Sequence, residues 1–368
     1  MRILYDGMIY LLQAAGGVNR YFVNLISRLP ENDLPCLMTY QSRDLMLPEH
    51  RNLRIVNYPR YNPGVICSAL RPAFFRAAET WQRPELVHPT YYSLLNGQTL
   101  AGAYRCPVVI TVYDMILERF PDQLDPTGRN REMKRNAILA ADAVLCISEN
   151  SRNDLLERYK IPEEKVTVTP LASELNPSLM IGSGPVPVRP YLLYVGGRSG
   201  YKNFDALLES FARVAARYRD ISLCVVGQPF SDQELLRIAV LKLTDRIEHY
   251  GSVPDGHLAR LYQQSIAFVY PSLYEGFGIP PLEAMCCGTP VVACNSSSIP
   301  EVVGSAGLLF DPKAPDELTE MLLLVVGSES TREKLIAQGY ERSKLFSWDK
   351  TAAQTVTVYR ELAGVGRP

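Results

Sequence analysis

Short apolar runs alternate along the chain with longer amphipathic stretches. The run PVVITVYD, residues 107–114, is apolar almost throughout, as a parallel strand covered on both faces should be. Similar runs predict strands at Arg2–Tyr5, Leu34–Tyr40, Leu53–Tyr58, Leu86–His88, Val108–Tyr113, Ala143–Ile147 and Lys165–Thr169. Phe22, Leu25, Ile26 and Leu29 recur at helical spacing after Gly16-Gly17, which predicts a helix through about Leu29. The same alternation resumes with strands at Tyr191–Val195, Ile221–Val226, Ile247–Tyr250 and Ile266–Tyr270. A helix with Phe204, Leu207, Leu208 and Phe211 on one face follows the first of these, and others start near Asp232 and Asp255. Tyr270–Val303 reads as strand, glycine loop, short helix, strand and loop, and helices fill the remainder, the last from near Trp348. Strand–helix alternation of this kind is α/β, with helices covering a parallel sheet. From Glu174 to Pro190 the periodicity stops, and ELNPSLMIGSGPVPVRP reads as a linker rich in proline, glycine and serine. The expected architecture is two tandem Rossmann-like, doubly wound domains with an interdomain cleft. They occupy residues 1–173 and 191–349, joined by the linker 174–190.

Composition narrows the function. A length of 368 residues accommodates two domains, and 47% hydrophobic with 21% charged residues describes an ordinary globular chain. A formal net charge of -1 argues against bulk nucleic-acid binding. No run of 18 apolar residues predicts a membrane-spanning helix, and MRILYDG has no signal-peptide pattern. The eight cysteines form no C-x-x-C pair, and Cys146, Cys224 and Cys294 sit in apolar runs. They read as buried free thiols in a reducing, cytoplasmic setting.

The candidate chemistry centres on Tyr270–Val303. Glu275 and Glu283 stand eight apart with Gly276, Gly278, Pro280 and Pro281 between them. The prolines mark a helix start, so Glu275 is expected in the loop and Glu283 in the first helical turn. Two carboxylates beside backbone amides suit a ligand rich in hydroxyls. The loop Gly196–Asn203 carries Arg198 and Lys202 at a helix entrance, suited to a diphosphate or equally to solvent. Gly16-Gly17 offers a further anion seat or a plain turn. Asp114 ends a buried strand, where open sheets place their ligands, and reads either as a site residue or as a cap. His88 also ends a strand, with a site role and a structural one both open. Between Arg51 and Arg83 lie six arginines against one acid, Glu79, with Phe74, Phe75 and Trp81 interleaved. This segment reads either as a surface helix packed on the sheet or as a patch for anionic lipid. Arg129, Arg131, Lys134 and Arg135 read as a solvated helix face.

Taken together, EGFGIPPLEAMCCGTPVV around Glu275–Glu283, GGVNRY from Gly16, TVYDM around Asp114, CISENSRNDL from Cys146, YVGGRSGYKN from Tyr194 and GLLFDP from Gly307 resemble the family 4 retaining glycosyltransferases of GT-B fold. The resemblance spans nearly the whole chain. It implies transfer of a hexose from a nucleotide-diphosphate sugar to a hydroxyl of a glycan or lipid-linked acceptor. Glu283 would hold the ribose, and Glu275 the hexose, with amides near Phe277, Gly278 and Ile279. Arg198, Lys202 and the amides at Gly197, Gly16 and Gly17 would neutralise the diphosphate, and Val253 would frame the base. The helix from about residue 350 would return to the first domain. The sequence contains no D-x-D pair, so no metal or other cofactor is expected. Tyr113-Asp114 departs from the histidine that many relatives carry there. Asp114, Tyr113 and His88 are the acceptor-side candidates. Peripheral contact with an anionic membrane at its inner face is an added expectation. A non-catalytic sugar-nucleotide binder is the alternative. A nicotinamide-dependent oxidoreductase is a weaker one, since neither glycine loop has G-x-G-x-x-G spacing.

Overall fold

In a computed structural model, residues 1–14, 16–40, 45–58, 64–180, 184–314 and 316–364 are described. The chain divides into two compact units. One comprises Met1–Leu171 with Trp348–Pro368, the other Ala172–Ser347.

The first unit contains strands β1 (Arg2–Asp6), β2 (Leu34–Tyr40), β3 (Arg54–Tyr58), β4 (Leu86–Val87), β5 (Val109–Val112), β6 (Ala143–Cys146) and β7 (Val166–Val168). They form a sheet of order β3-β2-β1-β4 and another of order β5-β6-β7, all parallel. A parallel bridge between Val87 and Val108 joins the two. Every residue of β5 and β6 is buried, which explains their unbroken apolar sequence. The helix Trp348–Gly364 packs on the helix Gly17–Ser27 and on β4 and β6. Buried Asp33 anchors that helix, accepting from Arg360 Nη2 at 2.6 and 2.8 Å and from the Met1 ammonium at 3.0 Å. Of the expected basic segment, Arg71 and Arg76 lie on the helix Gly64–Gln82, and Arg54 begins β3. Phe75 is buried, whereas Trp81 is 72% exposed, with the Arg54 guanidinium 4.3 Å from its ring centroid. Arg60 of the same cluster lies outside the described residues.

The second unit contains β8 (Tyr191–Val195), β9 (Ser222–Val226), β10 (Ile247–Tyr250), β11 (Ala267–Tyr270), β12 (Val291–Cys294) and β13 (Gly307–Phe310). They form one parallel sheet of order β10-β9-β8-β11-β12-β13. The chain starts at the middle of the sheet, winds one way, then crosses back to wind the other. This is the doubly wound order, and it puts the switch point between β8 and β11. The helix Phe204–Arg217 buries Phe204, Leu207, Leu208, Phe211 and Val214, a stripe at helical spacing. Each such side chain removed from water stabilises the unit by about 1.5–3 kcal/mol. The segment expected as a linker is held to this unit. His257 Nε2 is bonded to Pro185 O at 2.6 Å, and Arg260 Nη1 donates to Gly184 O at 3.2 Å.

Candidate functional site

The site of the second unit is built from loops at the carboxyl ends of β8, β9 and β11. Gly196, at φ 132°, leaves β8 and donates its amide to Val226 O at 3.0 Å. Gly227, at φ 155°, leaves β9. A Cβ there would stand 2.5 Å from Gly196 O, so the two loops meet through glycine backbone. A Cβ on Gly197 would meet open space. Lys202 closes the short helical turn Gly200–Lys202, and its ammonium donates to Glu275 Oε1 at 2.7 Å. The rings of Tyr201 and Tyr270 lie 5.1 and 5.9 Å from that ammonium.

Glu275 is 8% exposed and lies in the loop after β11. Three serines of the loop after β12 hold this loop. Glu275 N–H donates to Ser297 Oγ at 2.9 Å, Ser296 Oγ donates to Leu273 O, and Ser298 Oγ donates to the carbonyls of Glu275 and Phe277. Burial, the Glu275 charge and a hydrogen bond to Glu275 hold the Tyr270 phenol well above its ordinary pKa. That phenol therefore stays protonated beside the carboxylate. Gly278 takes the left-handed conformation, φ 109°, and opens the helix Ile279–Cys286. Ile279 is half-buried and Phe277 is buried against Phe346. The structure corrects the position of Glu283. It is the fifth residue of the helix, in its second turn, because Gly278 starts the helix before both prolines. Glu283 Oε2 accepts from Tyr262 at 3.1 Å. Val253 lies half-buried in the turn between β10 and the helix Asp255–Gln263.

Arg198 is not a loose cation at the loop surface. Its side chain is 5% exposed. Nε donates to Glu234 Oε1 at 2.5 Å, and Nη2 donates to Pro229 O at 2.8 Å. The guanidinium carbon lies 4.6 Å from the Phe230 ring centroid and 5.7 Å from that of Phe204. Sequence reasoning missed Glu234 as its partner, although SDQE at 231–234 has the spacing of a capping box.

In the first unit, Gly16 caps the eleven-residue helix Gly17–Ser27. Asp114 follows β5. Its carboxylate accepts from Ile116 N at 3.0 Å, and its side chain stays 35% exposed. The expected solvated face of the cluster Arg129–Arg135 is corrected at Lys134, which is 1% exposed. Its ammonium donates to Glu118 Oε2 at 2.9 Å and to the Asp114 carbonyl at 2.5 Å. Tyr159 Oη donates to the other oxygen of Glu118, so both oxygens of the buried carboxylate have a partner. The Tyr113 hydroxyl is buried with no hydrogen-bond partner among the described residues. His88 is fully buried, which corrects its acceptor-side placement. Nδ1 is bonded to Tyr359 Oη at 2.5 Å and Nε2 to Thr111 Oγ1 at 2.8 Å. Burial pushes its pKa down to about 3, so the ring is neutral.

Among the described residues no group of three histidine, cysteine or acidic side chains is placed to hold a metal. None of their helices is long and apolar enough to cross a membrane.

Residues 183–342 match the family described as glycosyl transferases group 1, and residues 15–173 match glycosyltransferase family 4. The chain is 33% identical over 271 residues to O-antigen chain mannosyltransferase B of Escherichia coli, covering 69% of this chain and 70% of that protein. Sucrose-phosphate synthase from Thermosynechococcus elongatus superposes with a TM-score of 0.74 at 22% identity, covering 99% of each chain. HepE of Anabaena, solved in complex with UDP and glucose, superposes at 0.71 and 17% identity over 98% of this chain and 99% of that one. Beside the two Rossmann-like sheets and the paired Lys202 and Glu275, these likenesses lead to one conclusion: the chain belongs to glycosyltransferase family 4, with the GT-B fold, and its role is sugar transfer.

Proposed function

We propose that this chain is a retaining, metal-independent hexosyltransferase of polysaccharide or glycoconjugate synthesis, acting on a glycan or lipid-linked hydroxyl. The observation that carries the reading is the 2.7 Å pair between Lys202 and Glu275 at the switch point of the second sheet. Glu275 accepts from hydroxyls of the donor hexose, and the amides of Phe277, Gly278 and Ile279 border it. Lys202 and Arg198, with the Gly197 amide, neutralise the diphosphate. Glu283 holds the ribose, and Val253 frames the base. Asp114 and Tyr113 are assigned to the acceptor. The relative named above makes mannose the first hexose to test.

In the reaction the bond from the anomeric carbon to the β-phosphate oxygen breaks, and its electron pair leaves with the phosphate. The acceptor oxygen bonds to the same face of that carbon. Its proton passes to the departing phosphate oxygen. Lys202, whose side chain is 18% exposed, stabilises the anion as it forms. Glu275 stabilises the oxocarbenium-like carbon and fixes the sugar.

Lys202→Ala is expected to lower turnover of nucleotide sugars about a hundredfold, and Glu275→Ala by at least as much. EDTA should leave the wild-type rate unchanged. Full activity in both variants, measured with GDP-mannose and UDP-glucose against a panel of acceptors, removes the reading. Contact with anionic membrane through Arg54 and Trp81 belongs to the same proposal.

A further inference from the structure

Arg198 is fixed on every side but one. Arginine carries five N–H donors in a rigid fork. Glu234 takes Nε at 2.5 Å and lies 3.4 Å from Nη2, while Pro229 O takes Nη2 at 2.8 Å. Phe230 and Phe204 flank the plane. Nη1 is buried and has no hydrogen-bond partner among the described residues. A buried cationic donor left unpaired is costly, so such a group in a native fold calls for an explanation. Nη1 stands 3.5 Å from the point where a Cβ on Gly227 would be, and Gly196 O stands 2.5 Å from that same point. The unpaired nitrogen therefore lies where the glycine loops after β8 and β9 join, off the carboxyl ends of the strands, the place where open parallel sheets bind ligands.

Glu234 is itself held before any ligand arrives. It is the third residue of the helix Asp232–Val240 and completes a capping box with Ser231. Its Oε2 accepts from Ser231 N at 2.7 Å and from Ser231 Oγ at 2.8 Å. Burial works against the charge of Glu234, but hydrogen bonds from Arg198 and Ser231 prevail and keep its pKa below the ordinary carboxylate value. The carboxylate is thus ionised at neutral pH.

We propose that Glu234 is a positioning residue for sugar transfer, holding Arg198 by Nε and Nη2 so that Nη1 is presented to an oxygen of the donor diphosphate. The inference rests on the assignment of the Arg198–Lys202 loop to the diphosphate. Orientation is set by the helix cap and the rings, so the arginine loses no side-chain freedom when charge develops on the leaving group. Glu234 touches no substrate atom and acts through Arg198.

A double-mutant cycle tests this on the full chain. Glu234→Gln keeps the size of the side chain and the capping partner but loses the charge that locks the fork. Alone it should lower kcat with GDP-mannose or UDP-glucose by about tenfold and move KM for the donor by less than about threefold. In an Arg198→Ala background the same change should cost nothing further, because the group it positions is gone. A parallel cycle on affinity for GDP and for UDP, read by thermal shift, keeps the test open where turnover in the double variant is too slow. Equal losses in both backgrounds would show that Glu234 acts as a helix cap only and would overturn the proposal, as would an unchanged Glu234→Gln enzyme. If instead Arg198→Ala and Lys202→Ala both retain full turnover, the diphosphate assignment itself fails, and the inference falls with it.

Discussion

At the scale of the residue, burial sorts three cations of equal formal charge. Lys134 is 1% exposed, Arg198 5% and Lys202 18%; each is paired with a glutamate, and Lys202 makes its pair at the switch point. A lysine closed inside a buried pair, as Lys134 is, serves the fold, and its removal would strand Glu118 without a partner charge. His88 shows the same logic with a proton. Its folded pKa of about 3 lies below the ordinary 6.5 because burial disfavours the imidazolium. Between those two values the unfolded chain binds the extra proton, so stability rises with pH through the window and is fully present above it. Falling from pH 7.5 to 5 should cost about 2 kcal/mol through this residue alone. Urea unfolding at the two pH values checks it, with His88→Gln as the comparison. The variant should be less stable at pH 7.5 and should lose about 2 kcal/mol less on acidification. An equal pH dependence in both proteins would assign the acid sensitivity elsewhere.

At the scale of the element, the helices show which signals are local. Ser231 and Glu234 form a capping box that their spacing predicts, and Phe204–Val214 buries the stripe that its period predicts. The start of Ile279–Cys286 is less legible. Two prolines announce a helix, but the left-handed Gly278 sets its first residue, and that moves Glu283 into the second turn. The helix Gly64–Gln82 divides its aromatics. Phe75 goes inward, and Trp81 goes outward beneath Arg54. An exposed tryptophan beside the Arg54 guanidinium suits the interface of an anionic bilayer, where each basic side chain contributes about 1 kcal/mol. Co-sedimentation with vesicles rich in phosphatidylserine should exceed that with phosphatidylcholine vesicles and fall in Trp81→Ser. Equal sedimentation of the variant removes this helix from the contact.

At the scale of the molecule, family membership rests on two matched segments and on a relative at 33% identity, each in agreement with the parallel sheets. A nucleotide that binds the native chain and not the unfolded one raises stability by mass action, about 2.7 kcal/mol at a hundred times its dissociation constant. GDP and UDP, tested separately by thermal shift, should therefore give a rise in Tm with at least one of them. The rise should shrink in Glu283→Ala, the residue assigned to the ribose. No shift with either nucleotide at millimolar concentration would count against donor binding.

The sequence by itself determined what is local or periodic. Alternating runs specify parallel strands and amphipathic helices, because burial on two faces or one leaves that pattern. The E-x7-E spacing and the ordered motifs identify the family, because each is contiguous in the chain. Only the tertiary structure decided what depends on distant partners. Arg198 meets Glu234 across 36 residues, Lys202 meets Glu275 across 73, and His88 meets Tyr359 across 271. Charge, hydrogen bonding and desolvation act through space, so a residue's type states what it can do, and its neighbours fix which of those things it does.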